Sequence, residues 1–380
     1  MSQEQSYNRY ANPNYVEKLT KLYSWYKGEI PNPFKIAIIP TNRCNLKCFF
    51  CPNSVARSSG RFKIEKELKK EEWMKVVEEG LKMDVREWRF LGGGEPLLRY
   101  DTVIDMIKRI KSTPNTDCEI ITNGTLFKKE DIDDLIKLRF DRIIFSIHGS
   151  KQTHHNFLTG SENSFQEVTK NLLTFKKIKK KRKTDKPAIQ INTVLTNKNY
   201  KDAVHMIKYA KKVGCDELAL HPMRLYEEIK KQAQFLKMNE EENKITSELL
   251  EKVKRSAEKN KLKLDIAMLE SENLVLDGSG WEEPRFKQSF LRMRCFEPWY
   301  GMLIDPEGFV THCVPHGMGN NKLNVKKMSI KNIWLSRYFQ AIRKKILNDI
   351  TMKCCLKCGL LDMSEELRTD FDLFVKVKSD

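Results

Sequence analysis

The sequence predicts an α/β fold with a parallel sheet, followed by a smaller α+β unit. Six short apolar runs recur between residues 34 and 222, and segments of helical periodicity separate them. This alternation of strand and helix is typical of parallel βα units. Six units are fewer than the eight of a closed (β/α)8 barrel, so the pattern favours a partial barrel or an open sheet.

The elements follow one another regularly along the first part of the chain. Residues 1–33 are polar with scattered aromatic side chains and predict a short helical lead-in. The predicted strands, each a buried apolar run, are residues 34–39, 88–93, 118–124, 142–149, 189–195 and 217–222. Between them, residues 101–111 place apolar side chains on one helix face, with Asp101 as the predicted N-cap.

The pattern changes after residue 240. A charged helix is predicted over about residues 240–260. Two alternating runs within residues 301–314 flank the turn sequence at residues 305–308 and predict a hairpin, and one helix is predicted from Ser329 to Ile342. The chain therefore divides into a lead-in (1–33), a core (34–260), and a linker with a C-terminal α+β hairpin-plus-helix unit (261–380).

Charge and cysteine content limit the classes of function. The 380 residues include 69 Lys and Arg against 51 Asp and Glu, a net charge of +18, which bears on association and not on fold. The densest basic run, residues 176–183, has no aromatic side chain and predicts a solvated helix end. No secretory signal and no apolar run of ~18 residues is present, so we expect a cytoplasmic protein. In a reducing compartment, 10 cysteines indicate metal or redox chemistry and not a disulfide framework.

Three of these cysteines lie directly after the first predicted strand. Cys44, Cys48 and Cys51 form a CxxxCxxC motif in a polar segment. Three thiolates on one loop can hold a [4Fe–4S] cluster that has one iron without a protein ligand. A structural zinc site usually takes four ligands, and inert core cysteines lie on periodic apolar faces, so both alternatives are less favoured.

A second motif, Gly92-Gly93-Gly94-Glu95-Pro96, ends the second predicted strand. Glycines allow a backbone to approach a ligand closely, and a carboxylate can bind an ammonium group. Its position, one βα unit after the cysteine motif, makes it a candidate ligand site.

Together the two motifs resemble those of the radical S-adenosylmethionine (SAM) superfamily, and the resemblance covers most of the chain. It implies a partial (β/α)6 TIM-like barrel whose cluster, reduced by flavodoxin or ferredoxin, cleaves SAM to methionine and a 5′-deoxyadenosyl radical that abstracts hydrogen from a substrate. The resemblance implies that the following residues contact SAM: Phe50, Gly93, Gly94, Glu95, Pro96, Asn123, Ser146, His148, Asn192 and Met223. The chain departs from the family at Ser146-Ile147-His148, where Ser-x-Asp is frequent, and at Thr159-Gly160, where Arg often precedes the glycine.

The remaining cysteines fall mainly near the C-terminus. Cys295, Cys313, Cys355 and Cys358 resemble the ligands of the auxiliary-cluster extensions called SPASM and twitch, and they imply a second [4Fe–4S] cluster. Because no cysteine follows Cys358, the shorter twitch form is the better match. A four-cysteine zinc ribbon is the rival, and Cys354 competes with Cys355, which is preferred for its CxxC spacing. Cys118 and Cys215 are predicted to be core residues.

A fully ligated auxiliary cluster implies an electron acceptor, and therefore an oxidation. Since only 33 residues precede the first strand, which is few for a leader-peptide-binding domain, a small sugar-like or cyclitol-like substrate is preferred. The alternatives are a ribosomal peptide maturase (cross-link, thioether or epimerisation) and an RNA-modifying enzyme. Nucleic acid is less favoured because no appended RNA-binding motif is present. Residues 224–290, rich in Lys and Glu, could form a lid or a partner surface.

Overall fold

The computed structural model describes residues 13–266, 269, 295–313, 322–348, 350, 370 and 371, which form helices around one main sheet. The strands are β1 (Lys35–Ile38), β2 (Glu87–Phe90), β3 (Asp117–Thr122), β4 (Arg142–Ser146), β5 (Ala188–Leu195), β6 (Glu217–Pro222), β7 (Lys263–Asp265), β8 (Gly301–Ile304) and β9 (Val310–Thr311). The helices are α1 (Pro13–Tyr26), α2 (Pro52–Ser58), α3 (Lys70–Lys82), α4 (Tyr100–Lys111), α5 (Lys129–Lys137), α6 (Gln152–Thr159), α7 (Ser164–Arg182), α8 (Ala203–Val213), α9 (Lys230–Ala233), α10 (Glu240–Lys259), α11 (Glu297–Tyr300), α12 (Ile330–Trp334) and α13 (Arg337–Leu347). Short 3₁₀ turns cover Ile64–Lys66, Pro96–Arg99, Tyr200–Asp202, Glu227–Ile229 and Gln234–Leu236.

The strands follow the order expected for consecutive βα units. Across the described residues the order is β7-β6-β5-β4-β3-β2-β1-β8-β9. Each neighbouring pair from β7 to β8 is parallel, and only the pair of β8 and β9 is antiparallel. All six predicted strands are present, and the predicted α/β partial barrel is confirmed.

Three further strands extend this sheet, β7 at one edge and the pair of β8 and β9 at the other. β7 pairs with β6, immediately after the predicted end of the core at residue 260. The predicted hairpin around residues 305–308 is also present, and its first strand pairs in parallel with β1, from Lys35 opposite Gly301 to Ile38 opposite Ile304. A Cβ at Gly301 would lie 2.6 Å from the Lys35 carbonyl oxygen, so the close pairing requires glycine here.

The apolar side chains of the strands face the helices. Ile36 and Ile38 of β1, with Trp88 and Phe90 of β2, are fully buried in the main core, which helices α3 and α4 cover. Burial of this kind supplies most of the free energy that holds a sheet and its helices together.

The opposite face of the strands carries a row of charged side chains, which we call the charged ladder: Arg89, Glu119, Arg142, Glu217 and Lys263. Successive members form ion pairs of 3.7, 3.9, 3.2 and 3.0 Å. Three of these pairs join neighbouring strands, and the pair of Arg142 with Glu217 spans β5. The prediction of buried apolar strands therefore holds on the helix-facing side, whereas the opposite face combines these charged side chains with buried residues such as Ala37 and Ile144.

The N-terminal helix belongs to a second, smaller apolar cluster. Leu19, Leu22 and Trp25 of α1 pack against Phe296 and Trp299, and the Trp25 and Trp299 rings lie 4.2 Å apart. The predicted helical lead-in is present and packs on the hairpin side of the molecule.

Two helix predictions need correction. The helix predicted from Ser329 is two helices, α12 and α13, since the chain turns at Leu335 and the second begins after Ser336. α4 begins one residue before Asp101, behind a 3₁₀ turn, so Asp101 lies in its first turn and is not the N-cap.

The densest basic run forms the end of α7, where Lys179 and Arg182 pair with carboxylates. It is a solvated helix end, as predicted. No helix among the described residues is long and apolar enough to cross a membrane.

Candidate functional site

The segment that carries the first three cysteines, residues 41–51, connects β1 to α2, and we call it the cysteine loop. Its first residues run beside the glycine motif at the end of β2. The Gly94 N–H donates to the Thr41 carbonyl at 2.9 Å, and the Glu95 N–H donates to the Arg43 carbonyl at 2.7 Å. The two sequence motifs are therefore in direct backbone contact.

The glycines permit this contact. A Cβ at Gly94 would lie 1.8 Å from the Arg43 carbonyl oxygen, and a Cβ at Gly93 would lie 2.5 Å from Oδ1 of Asn42. The sequence suggested glycine for the approach of a ligand; the structure shows that these residues first allow the approach of the chain's own cysteine loop.

Glu95 is buried and joins the ends of β2 and β3. Its Oε1 accepts hydrogen bonds from Thr122 Oγ1 at 2.6 Å and from the Leu97 N–H at 3.0 Å, and its Oε2 accepts from the Asn123 N–H at 2.8 Å. Burial raises the pKa of Glu95 to about 6, although the three donors act in the opposite direction. A carboxylate has about four acceptor positions, so Oε2 keeps capacity for one more donor.

Asn123 ties β3 to the cysteine loop through side chains. Its Nδ2 donates to Asn45 Oδ1 at 2.9 Å, while Asn45 Nδ2 donates to Thr125 Oγ1 at 2.9 Å. Oδ1 of Asn123 accepts from the Thr125 hydroxyl at 2.7 Å, which completes a closed network. In this arrangement Asn123 fixes the loop beside Cys44.

Further contacts, which no sequence motif indicated, hold the start of the loop. Glu67 accepts from the Thr41 hydroxyl at 2.9 Å and from the Asn42 N–H at 2.8 Å. Arg57 Nη1 donates to the carbonyls of Gly93 at 3.0 Å and Asn42 at 3.4 Å, and so bridges the two motifs. Apart from the Thr41 hydroxyl, the partners of these two side chains are backbone atoms, which any residue supplies, so no sequence pattern could have identified them.

The far side of the loop is bound to α6 and α9. The N–H groups of Lys47 and Phe49 donate to the carbonyls of Thr159 and Leu158, each at 3.1 Å, and Gln232 Nε2 donates to the Phe49 carbonyl at 2.7 Å. The loop is thus held on both sides by ordered structure.

The three thiols lie close to one another on this loop. Burial raises the pKa of both Cys44 and Cys48, and the neighbouring thiols raise it further. No three His, Cys, Asp or Glu side chains in the described part of the chain are arranged around one metal ion. A cubane cluster places each cysteine on a different iron, so it does not require such convergence. Three neighbouring thiols on a braced loop fit a three-cysteine [4Fe–4S] cluster.

Phe50 and Met223 meet in one apolar cluster above the sheet. Met223 is buried in this cluster with Leu158, and Phe50 and Val194 pack against it as partly buried side chains. The Phe50 ring stands edge-on to His148, with centroids 4.7 Å apart. The structure therefore brings together three residues that the sequence assigned to SAM.

His148 is a buried neutral imidazole. Burial lowers its pKa well below the usual value, and His155 and His221 act in the same direction. Its Nδ1 accepts the Val194 N–H at 3.2 Å, so the neutral ring carries its proton on Nε2.

Ser146 and Asn192 lie opposite one another on β4 and β5. Both are partly exposed on the sheet face that bears the charged ladder, and Asn192 Oδ1 accepts from Gln190 Nε2 at 2.8 Å. Pro96 is buried and begins the 3₁₀ turn after Glu95. Thr159, at the position where the family often has Arg, is buried and its hydroxyl bonds to the His155 carbonyl at 2.8 Å, so it serves the fold.

The auxiliary cysteines are only partly within the described structure. Cys295, just before α11, and Cys313, just after β9, are both partly buried. Cys354, Cys355 and Cys358 lie outside the described residues. The set of four auxiliary ligands therefore stays a prediction. Cys118 and Cys215 are buried in the main core, as predicted.

Comparisons with known proteins agree with this geometry. Residues 38–210 match the radical SAM superfamily, and residues 295–359 match the iron–sulfur cluster-binding SPASM domain. The chain therefore contains a radical SAM domain and a C-terminal SPASM domain. Its cofactors are accordingly SAM, the [4Fe–4S] cluster of the radical SAM domain and a further iron–sulfur cluster of the SPASM domain.

Solved structures share the fold over most of the chain. Streptococcus suis SuiB bound to SAM has a TM-score of 0.64 at 19% identity, covering 92% of this chain and 75% of SuiB. The enzyme anSMEcpe with bound SAM has a TM-score of 0.56 at 17% identity, covering 87% of this chain and 88% of the other.

Curated relatives match a shorter part. A probable GTP 3′,8-cyclase of Sulfurisphaera tokodaii is 29% identical over 188 residues, covering 49% of this chain and 55% of the relative. A probable GTP 3′,8-cyclase of Thermococcus kodakarensis is 33% identical over 139 residues, covering 37% and 42%. The chain thus spans about half the length of the curated relatives it matches.

Proposed function

We propose that Cys44, Cys48 and Cys51 hold the SAM-binding cluster, and that the enzyme abstracts hydrogen from a polar substrate in a net oxidation. The observation that carries this proposal is the bracing of the cysteine loop on the glycine motif, including the Glu95 N–H to Arg43 carbonyl bond of 2.7 Å. A reduced cluster with bound SAM supplies a 5′-deoxyadenosyl radical; the residues of the chain bind and orient the groups around it.

We assign Gly93, Gly94, Glu95 and Pro96 to the amino group of SAM. Glu95 supports this assignment because its Oε2 accepts a single hydrogen bond from the chain and is beside the loop. An ammonium group at Oε2 would also favour the ionised carboxylate, whose pKa is otherwise raised by burial to about 6.

We assign Phe50, Asn123, Ser146, His148, Asn192 and Met223 to the rest of SAM. Phe50 and Met223 offer apolar surface to the adenine ring, and their shared cluster supports this. His148 replaces the acidic residue frequent in the family; as a neutral ring it would donate from Nε2 to a ribose oxygen, where a carboxylate would accept.

Substitution of the loop cysteines tests the proposal. Ala at Cys44, Cys48 or Cys51 is expected to abolish reductive SAM cleavage, measured as 5′-deoxyadenosine under anaerobic conditions with dithionite as reductant. Cys215→Ala, a core thiol, is the matched control and keeps the activity. Retained 5′-deoxyadenosine production in the three loop variants would refute the assignment.

We propose that Cys295, Cys313, Cys355 and Cys358 hold one auxiliary [4Fe–4S] cluster of the twitch type, which takes the electron left on the substrate. Four thiolates would leave no iron open for substrate, and this supports an electron-transfer role. A reaction of this kind would remove one hydrogen atom, one electron and one proton from the substrate, which is two hydrogens in total, with the proton released to solvent.

The substrate that we propose first is a small sugar-like or cyclitol-like molecule. The face of the sheet that bears the charged ladder supports it, because Arg89 and Arg142 are about one-third exposed there beside carboxylates. Paired charges of both signs suit a ligand rich in hydroxyl and amino groups.

A polypeptide is the second candidate. SuiB has been solved with its precursor peptide SuiA, at a TM-score of 0.59 to this chain, and anSMEcpe has been solved with a bound Cp18Cys peptide. Because these neighbours share the fold along most of the chain, they support a polypeptide substrate, which the sequence alone placed second.

The two candidates are separable in one assay. We expect aminocyclitols or amino sugars to accelerate 5′-deoxyadenosine formation and to yield a product lacking two hydrogens by mass spectrometry. Acceleration by short peptides encoded beside the gene, with none by sugars, would select the polypeptide.

We further propose that reduced flavodoxin or ferredoxin donates the electron, in the cytoplasm. A radical SAM enzyme requires a reductant. Low-potential clusters favour a reducing compartment.

A further inference from the structure

Three phenylalanines form an exposed cluster beside the cysteine loop, which we call the aromatic patch: Phe49, Phe157 and Phe235. Their ring centroids are 5.6, 5.7 and 6.3 Å apart. Phe157 is 45% exposed and Phe235 is 47% exposed, which is unusual for grouped aromatic side chains. Contiguous apolar surface of this kind typically marks a site of interaction.

The patch is built on ordered backbone. Phe49 belongs to the cysteine loop and is held by the Leu158 carbonyl and by Gln232. The Phe235 carbonyl accepts from Asn197 Nδ2 at 2.8 Å. Buried Leu158 and Leu236 lie next to the exposed rings in sequence. The rings are therefore preorganised, which lowers the entropy cost of binding a partner.

The position of the patch indicates what its partner does. Phe49 directly follows Cys48, so a protein seated on the patch would lie beside the cluster held by the loop. Electron transfer requires such proximity, whereas the candidate substrate face lies on the strands.

Charge indicates the chemistry of the partner. Three exposed lysines lie near the three phenylalanines. Lys47 is two residues before Phe49 and Lys231 is four residues before Phe235, while Lys198 follows Asn197, whose side chain bonds to the Phe235 carbonyl. The whole chain carries a net charge of +18, which attracts acidic proteins and accelerates their encounter.

We infer that the aromatic patch is the docking surface for a small acidic electron-carrier protein that reduces the cluster. The inference rests on the proposed function. One electron leaves the reduced carrier and enters the cluster, so the carrier is oxidised by one electron as the cluster is reduced by one, and no atom is transferred.

The test compares a protein reductant with a chemical one. The double variant Phe157→Ser/Phe235→Ser is assayed anaerobically for 5′-deoxyadenosine without substrate, driven either by flavodoxin with its reductase and NADPH or by dithionite. We expect the flavodoxin-driven rate at limiting flavodoxin to fall roughly tenfold, the loss typical of interface anchors, while the dithionite-driven rate stays unchanged. Leu173→Ser, which removes an exposed apolar side chain of α7, is the matched control and keeps both rates.

A second double variant tests the contribution of the lysine charges beside the aromatic patch. Lys198→Glu/Lys231→Glu is expected to raise the flavodoxin concentration needed for half-maximal rate and to weaken its dependence on ionic strength.

Two results would overturn the inference: an equal fall with both reductants, or no fall with flavodoxin. If the native chain forms no 5′-deoxyadenosine with dithionite, the proposed function itself fails, and the two failures are therefore distinguishable.

Discussion

Arg57 is the side chain whose role is most easily separated from that of the cysteines. It bridges the Gly93 and Asn42 carbonyls from the last turn of α2, and it favours ionisation of Cys44, whose pKa burial raises. It therefore connects the glycine motif to the cysteine loop without belonging to either.

Arg57→Gln is expected to weaken SAM binding by about tenfold, since a bond from a charged donor contributes about 1.5–3 kcal/mol. Arg57→Lys keeps the charge but has a shorter reach than the guanidinium, whose Nη1 donates to both carbonyls, so it should recover only part of the affinity. Anaerobic equilibrium binding of SAM measures both, with exposed Arg61→Gln as control. Unchanged affinity in Arg57→Gln would contradict the bridging role.

Asp305, in the turn of the hairpin, gives the molecule a measurable pH dependence. Its Oδ1 accepts the Phe309 N–H at 2.8 Å, and burial raises its pKa to about 6. The folded state thus binds this proton more tightly than the unfolded state, so the free energy of unfolding falls as pH rises through the folded pKa.

Asp305→Asn keeps an acceptor for Phe309 and removes the titration. Relative to the native chain, the variant should gain about 1 kcal/mol of unfolding free energy between about pH 5 and pH 7.5. Urea unfolding of the anaerobic holoenzyme at several pH values measures the difference. A difference that does not change with pH would show that the carboxyl is not perturbed in the folded state.

At the scale of elements, α1 depends on its packing against α11 and α13. Leu22 is fully buried in that cluster, whereas Val16, on the same helix, is 37% exposed. Leu22→Ala is expected to lower the free energy of unfolding by about 2–5 kcal/mol, through lost burial and a residual cavity.

Val16→Ala is the matched control for this prediction and should change stability by less than about 0.5 kcal/mol, as exposed substitutions usually do. Urea unfolding measures both variants. Equal effects would mean that α1 does not pack as the structure shows.

The elements also show where sequence reasoning succeeds. The apolar runs predicted all six core strands because one face of each strand is buried against helices, as at Trp88 and Phe90. The sequence did not predict that β7 and β8 belong to the main sheet. Their pairing, β7 with β6 and β8 with β1, is set by tertiary contact and leaves no local sequence pattern.

Sequence reasoning likewise identifies one part of the candidate site and misses another. The cysteines and Glu95 carry their own chemistry and are recognisable in sequence. Arg57 and Glu67 bind backbone atoms of the cysteine loop, and Arg57 also binds the Gly93 carbonyl, so nothing in the spacing of the motifs points to them. His148 was singled out from the resemblance, but its neutral state follows only from its burial.

For the whole molecule, the decisive quantity is the metal content. Anaerobic reconstitution should give about eight irons per chain, from two four-iron clusters. About four irons with tightly bound zinc would instead identify a zinc ribbon and contradict the auxiliary-cluster proposal.

The ligands of that second cluster are tested separately. Cys355→Ala or Cys358→Ala should lower the iron content by about four and impair turnover, while uncoupled SAM cleavage persists. Cys354→Ala, its neighbour, is the control and should keep all the iron. A loss of SAM cleavage as complete as in the loop variants would show that the second site is structural.

The pairing of β8 with β1 has a consequence for variation along the chain. β1 leads into the cysteine loop, and β8 leads through the turn to Cys313. The two strands are paired with Ile38 opposite Ile304, so this pairing fixes where the cysteine loop and the segment to Cys313 begin relative to each other. Hydrogen bonds between β1 and β8 set the relative position of these two starting points, and the chain segment that connects the two strands does not. Insertions or deletions between β7 and Cys295 would therefore leave this register intact, because they change neither β1 nor β8.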